Sequence, residues 1–245
     1  MTTSTNMLSR NKKTTLTASI RARQHEGLFP VISEVKVRSD KEGDLLRGRD
    51  PVSLACEMGR SPVAGISVVT EPDHFGGNMD LLRAITAAVD LPVLHKDFIT
   101  SERQVEESAA AGASAMLLIA AMLETTQIAR LIACARQCGL ETLVEAHNLR
   151  EIENITVLPF NLMGINNRDI TIFEVDDSDV GRTEALARFC KNNRPIISES
   201  SISSWNDVRR AGKSGADAVL VGTAVLNAPS ISRFLQELTA VGWPP

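Results

Sequence analysis

The chain lacks the features that would direct it to a nucleic acid or a membrane. Its 26 Lys and Arg are outnumbered by 30 Asp and Glu, giving a formal charge of -4 and a pI near 5.7. No basic field is therefore available to hold a polyanionic backbone or an anionic bilayer, although a small anion answers only to the local field. No apolar run approaches the roughly 20 residues that span a bilayer, and the basic N-terminal segment has no apolar core of the secretory kind. Cytoplasmic residence is the expectation. Cys56, Cys134, Cys138 and Cys190 are scattered; the middle pair has helical spacing but no companion ligands, so all four read as reduced thiols and not as a metal site. An early Gly-x-Gly-x-x-Gly is also missing, which argues against an open dinucleotide-binding sheet.

What the chain has is a repeated alternation of apolar runs and amphipathic stretches. The apolar runs lie near 31–36, 64–69, 91–96, 114–120, 140–145, 160–165, 194–199 and 216–222, and they are continuous in Val, Ile and Leu instead of alternating with polar residues. That texture suits parallel strands buried on both faces. Two segments, RQVEESAAAGASAMLLIAA and NDVRRAGKSGADAVLVGTA, echo each other as helix, glycine turn and apolar strand. Eight strands and 245 residues, 43% of them hydrophobic, predict a single (β/α)8 barrel over 29–240. A polar arm or short accessory helix over 1–28 precedes it, and a loose tail over 241–245 follows.

Ionisable and amide side chains recur where the apolar runs end: Glu34 and Lys36 in VISEVK, Lys96 in PVLHKDF, Glu145 in ETLVEA, Asn166 in LMGINNRD, and Glu199 with Ser200 in PIISES. In a barrel of this kind those strand tips converge on one pocket, so the pattern predicts an active site assembled from many strands. The ordered set SEVK, EPDHFGG, LPVLHKDF, LVEAH, GINNRD, ISESS and DAVLVGTA, running from Pro30 to Asn227, closely resembles the indole-3-glycerol phosphate synthase family.

The resemblance implies a cofactor-free carboxy-lyase. Its substrate would be 1-(2-carboxyphenylamino)-1-deoxyribulose 5-phosphate, closed to an indole with loss of carbon dioxide and water. By the matching motifs, Lys96 would be the acid of ring closure, aimed at the C2 carbonyl oxygen. Glu145 and Glu34 would handle protons in the dehydration, Lys36 would bind an anionic group of the substrate, Glu199 would bind ribulose hydroxyls, and Asn166 would orient a glutamate or hydroxyl. Phe75, Phe98, Leu118 and Leu220 would line the aromatic pocket, with Ser39, Arg168 and Ser200 also facing substrate. Lys36, Ser201, Gly222 and Thr223 would hold the phosphate. A phosphorylated aromatic small molecule is thus the expected partner, with neither nucleic acid nor membrane, on a monomer or weak homodimer. His74, His95 and His147 lie near strand mouths but make no metal triad; they read as satisfied loop histidines or helix caps.

Three departures from the family pattern keep alternatives open. A Ser-Pro-Ser stretch is replaced by Ser39, Asp40 and Lys41, which removes a fixed φ and adds an acidic charge. The usual Glu-Ser-Gly becomes Glu199-Ser200-Ser201, trading glycine's freedom for a hydroxyl. The leader before the first strand is short, so a helix covering the mouth would be curtailed; Arg21 to Gln24 could form part of it. These changes allow a paralogue acting on a related aryl-amino sugar phosphate, or a phosphometabolite-binding barrel without turnover.

Overall fold

The computed structural model describes residues 14–168, 179–190 and 193–245. The strands are β1 (Val31–Val35), β2 (Arg38–Ser39), β3 (Gly43–Asp44), β4 (Gly65–Val69), β5 (Val93–Lys96), β6 (Ala115–Ile119), β7 (Glu141–Ala146), β8 (Leu162–Asn166), β9 (Ile196–Glu199) and β10 (Ala218–Val221). Eight of them close a parallel barrel in the order β1-β10-β9-β8-β7-β6-β5-β4, while β2 and β3 form a small antiparallel hairpin beside the mouth. The predicted (β/α)8 architecture is present, with strand limits within two residues of the apolar runs.

Helices alternate with the strands as the sequence dictates. Asp50 caps α2 (Pro51–Gly59), with proline in its first turn. Asn78 caps α3 (Met79–Ala88), and Ser101 with Gln104 makes a reciprocal capping box on α4 (Glu102–Ala110). After α5 (Thr125–Gln137), Asn148 caps α6 (Leu149–Ile155). The circuit is completed by α7 (Gly181–Leu186), α8 (Trp205–Lys213), α9 (Thr223–Asn227) and α10 (Ile231–Thr239).

Apolar packing falls into two layers, because successive residues of a strand face opposite sides of the sheet. Val35, Val68, Met116, Leu118, Val144 and Ile165 pack outward against the helices; Ile32, Leu94, Leu117, Leu143, Leu162, Ile197 and Leu220 fill the lumen. The helix α1 (Leu16–His25) belongs to the second group: Leu16 and Ile20 close the lumen from below. Thr17 N donates to Glu141 Oε2 at 3.0 Å, Ser19 Oγ to the Ala64 carbonyl at 2.5 Å and Arg21 Nη1 to Asp217 Oδ1 at 2.6 Å. All three acceptors lie at or just before the starts of barrel strands, so α1 plugs the end opposite the strand tips. The stretch containing Arg21 to Gln24 is therefore helical, but it does not cover the mouth. Residues 1–13 lie outside the described part of the chain.

Candidate active site

The strand tips converge as the sequence predicts. A cavity of about 370 Å³ opens at the C-terminal end of the barrel. Its floor and walls include Glu34 from β1, Lys36 just beyond it, Lys96 from β5, Glu145 from β7 and Asn166 from β8. Phe75, Phe98 and Leu220 supply apolar wall; Arg168, Ser200, Ser201, Gly222 and Thr223 stand around the rim. Glu199, at the end of β9, is fully buried beneath this surface and reaches it through Lys96.

Two predicted residues fall elsewhere. Leu118 points outward into the helix layer, and its neighbours Leu117 and Ile119 face the cavity instead. The alternation of a strand makes a one-residue error a change of face. Ser39 is buried in the β2–β3 hairpin, where its Oγ accepts the Glu42 backbone N–H at 3.1 Å. It shapes the loop, and the loop presents Lys41 and Glu42 to the cavity. Asp40 is not in the cavity wall either: its Oδ2 lies 3.3 Å from His74 Nδ1. The hairpin is anchored to the next loop by Arg38 N donating to the Phe75 carbonyl at 3.1 Å, which sets Phe75 below Lys36, its ring centroid 5.4 Å from Nζ.

Glycine creates the room for two of the carboxylates. A Cβ on Gly164 would enter the space of Glu199 Oε1, and one on Gly222 would stand 2.7 Å from Glu34 Oε1. A side chain at either position would force the facing glutamate carboxyl to shift from its place. Glu34 is further held by Ser67 Oγ, which donates to its Oε2 at 3.0 Å.

At the centre, Lys96 Nζ lies 3.1 Å from Glu145 Oε2 and 3.3 Å from Glu199 Oε2. Asn166 Nδ2 donates to the other Glu145 oxygen at 3.0 Å, and the Asn166 Oδ1 accepts the Arg168 backbone N–H, so the amide is oriented from both ends. Burial alone would lower the proton affinity of Lys96, but Glu145, Glu199 and Glu34 together raise it well above the usual ammonium range. The two carboxylates that share this cation diverge. Burial opposes ionisation of both; for Glu145 the charges of Lys96 and His147 prevail and hold its proton affinity far below the usual carboxylate range. Glu199 has Lys96 alone against burial and the fields of Glu145 and Glu34, and its proton affinity is raised. The same ammonium is thus flanked by one carboxyl whose surroundings favour ionisation and one whose surroundings favour keeping its proton.

This arrangement suits proton transfer to and from a substrate seated over Lys96. The model of the family described as indole-3-glycerol phosphate synthase matches residues 3–238. The chain belongs to the indole-3-glycerol phosphate synthase family. It is 41% identical over 211 residues to the indole-3-glycerol phosphate synthase of Thermococcus kodakarensis, a match covering 86% of this chain and 92% of that one. Similarity to the enzyme of that name from Nocardioides sp. is 42% over 211 residues, covering 86% and 80%. A crystal structure of 3-hexulose-6-phosphate synthase from Salmonella typhimurium superposes with a TM-score of 0.67 at 13% identity, over 86% of this chain and 97% of that one, a likeness of fold alone.

Around the motifs of the indole-3-glycerol phosphate synthase family, the structure adds residues that sequence reading passed over. Asn167 is buried behind Asn166: its Nδ2 lies within 3.1 Å of Ser198 Oγ and of the Glu199 and Ser200 carbonyls, while its Oδ1 accepts from Thr183 N and Oγ1 at 3.0 Å. It holds the end of β9 where Ser200 and Ser201 adopt φ of 66° and 58°. Ser201 thus takes the left-handed backbone that glycine would adopt freely. His147, read as a satisfied loop histidine, lies 3.2 Å from a Glu145 oxygen. Its only sequence signal is its place two residues past Glu145. Among the described residues no group of three or more His, Cys, Asp and Glu could hold a metal ion, and no helix is long and apolar enough to cross a membrane.

Proposed function

We propose that the cavity performs the reaction of its family, with Lys96 as the acid of ring closure and Glu145 as the base of dehydration. The chain is a carboxy-lyase of indole-3-glycerol phosphate synthase type, acting on a phosphorylated aromatic substrate in tryptophan biosynthesis. The observation that carries the residue assignment is Lys96 Nζ held at the cavity floor between Glu145 and Glu199.

In the first step the ring carbon bearing the carboxylate bonds to the substrate's C2, and the carbonyl oxygen takes a proton from Lys96. Loss of carbon dioxide then returns the bonding electrons to the ring and restores its aromaticity. In dehydration the C2 hydroxyl leaves as water after accepting a proton, and a proton leaves C1 as the C1–C2 double bond forms. One proton is consumed per turnover, the one placed on the carbonyl oxygen in ring closure.

The resting electrostatics make Lys96 a reluctant donor and Glu145 a poor base. Transfer of the Lys96 proton changes both conditions at once: the cation between the carboxylates disappears, and the proton affinity of Glu145 rises. Ring closure thereby arms the group that the later step needs. Negative charge gathering on the carbonyl oxygen is met by the ammonium in a site where little water competes, which is where such stabilisation is largest. Glu199, whose burial and carboxylate neighbours favour its protonated form, lies 3.3 Å from Lys96 and is placed to return a proton to the amine.

Phe75, Phe98, Leu117, Ile119 and Leu220 would enclose the anthranilate ring. Lys36, Ser201, Gly222 and Thr223 would take the phosphate, with Lys41 and Arg168 adding positive charge at the rim. The left-handed Ser201 supports retention of this end, since the backbone path expected of glycine is kept. The reading carries with it a cofactor-free, cytoplasmic enzyme, monomeric or weakly dimeric. Incubation of the purified protein with 1-(2-carboxyphenylamino)-1-deoxyribulose 5-phosphate, followed by indole fluorescence, tests it. Absence of product at high enzyme concentration would exclude this substrate and favour the related aryl-amino sugar phosphates.

A further inference from the structure

His147 follows β7 by one residue, and its side chain is almost fully enclosed, 8% exposed. Each ring nitrogen faces a different carboxylate: Nε2 is 3.2 Å from Glu145 Oε1, and Nδ1 is 3.2 Å from Glu151 Oε2. The first contact is close but poorly aligned for a hydrogen bond, so it acts chiefly as an attraction between charges. The second is fixed twice, because Glu151 Oε2 also accepts the His147 backbone N–H at 2.7 Å.

Glu151 is itself immobilised. It sits in the first turn of α6, where its backbone N–H bonds Asn148 Oδ1 at 3.0 Å and its Oε1 accepts from Asn148 Nδ2 at 2.5 Å. The cap of α6 therefore locks Glu151, Glu151 locks the imidazole, and the imidazole bears on the very oxygen of Glu145 that Asn166 also engages. Lys96 approaches the other oxygen. We infer that His147 is a positioning residue for the reaction, a second cation that fixes the rotamer and the charge of Glu145 and ties both to the N-terminus of α6.

The charge follows from the surroundings. Burial would discharge His147, but Glu145 and Glu151 outweigh it and raise its proton affinity to about 9. Among the described residues, Lys96 on β5 is the other charged group in contact with Glu145, while Asn166 faces it as a neutral donor from β8. The consequence for catalysis is specific. When Lys96 surrenders its proton, His147 is the cation still touching Glu145, so Glu145 stays ionised and correctly aimed until it takes a proton from the substrate. Above the pH at which His147 discharges, that support is gone.

The inference rests on the catalytic reading of Glu145, and the experiment separates the two. Imidazole NMR of the full-length protein should show His147 titrating near pH 9, and Glu151→Gln, which keeps the side chain's size and the backbone cap bond to Asn148 but only one acceptor oxygen, should move that midpoint down by about one unit. Glu145→Gln should also move it down. His147→Gln should lower kcat about tenfold with KM within twofold and should remove the alkaline limb expected of wild type near pH 9; it should lower Tm most below about pH 6, where His147 is charged in both folded and unfolded states, the difference closing as pH rises through about 9. Wild-type kcat with the alkaline limb intact in His147→Gln, or a His147 midpoint indifferent to both glutamate substitutions, would overturn the inference. Glu145→Gln with unimpaired turnover but a shifted His147 midpoint would instead sink the catalytic role of Glu145 and leave the charge coupling standing.

Discussion

Gly164 and Glu199 stand so close across the β8–β9 boundary that a Cβ on the glycine would occupy the space of Glu199 Oε1. The glycine's backbone also lies against Glu145, whose Cα would be 3.2 Å from such a Cβ. Position 164 thus sets the separation of the two carboxylates that share Lys96. Gly164→Ala should displace Glu199 and cost about 1–3 kcal/mol of stability through overpacking. Turnover should fall at least about tenfold, because small misplacements of reacting groups are costly. Steady-state kinetics with thermal melts would check this; an alanine variant with full kcat would mean that Glu199 need not hold its place.

The raised proton affinity of Glu199 has a consequence for stability that can be signed. Its native value is about 8, whereas an unfolded glutamate titrates near 4.3. The native state therefore keeps a proton that the unfolded state releases. This contribution is fully present below pH ~4 and is lost as pH rises through about 8. Glu199→Gln removes the liability while keeping the shape. Its Tm should exceed that of wild type by an amount that grows between pH 5 and 8, reaching about 4 °C or more, while its turnover collapses. A Tm difference independent of pH would show that Glu199 is ionised in the native protein.

Lys96→Met should reduce ring closure by about 10²–10⁴-fold, the usual worth of a positioned acid. The methionine keeps much of the apolar stem and removes the charge. Glu145 would then rely on His147 and the Asn166 hydrogen bond, so its stabilising ionisation, present above the unfolded value and lost as pH falls through the native one, should fail at higher pH than in wild type. Acid unfolding followed by circular dichroism reads that shift. Near-normal turnover would refute the acid role.

The fold was legible because each strand is a continuous apolar run buried on both faces, and because polar residues punctuate the same end of each. That made Glu34, Lys96, Glu145, Asn166 and Glu199 visible as one set. The same continuity concealed which residues face inward: in AMLLI nothing chemical separates Leu117 from Leu118, and the structure turns them to opposite sides. Asn167 and His147 were hidden for another reason. Each follows a strand tip among polar neighbours, where a residue that braces the site and one that merely meets water have the same sequence signature. The placement of α1 was equally unreadable, since its attachments to Glu141, Ala64 and Asp217 join residues far apart in the chain.

Ser201 offers a test of the phosphate end. Its left-handed backbone costs an L-residue about 1–2 kcal/mol relative to glycine, so Ser201→Gly should raise Tm by about 2–8 °C. If the hydroxyl is a phosphate ligand, affinity for a nonreactive substrate analogue should nevertheless drop. Calorimetry with phosphorylated and nonphosphorylated analogues separates the two effects. Improved binding of the phosphorylated analogue alone would show that closer backbone approach outweighs the hydroxyl. Equal wild-type affinity for both analogues would remove Lys36, Ser201, Gly222 and Thr223 from phosphate binding altogether.

Asn167→Ala should damage the site without touching a residue that faces substrate. The amide spans three segments, binding Ser198 and the Glu199 and Ser200 carbonyls on one side and Thr183 of α7 on the other. Its loss would take this partner from the Ser200 carbonyl and the Thr183 N–H, each costing about 1–3 kcal/mol, while the Glu199 carbonyl keeps the backbone N–H of residue 167 at 2.9 Å. The strained Ser200–Ser201 turn, no longer held from below, would relax toward ordinary φ and withdraw from the cavity rim. The expected kinetic signature is a rise in KM larger than the fall in kcat, because Lys96 and Glu145 stay paired while the wall beside them loosens. A variant that melts lower but keeps wild-type KM would show that the turn holds its shape without Asn167.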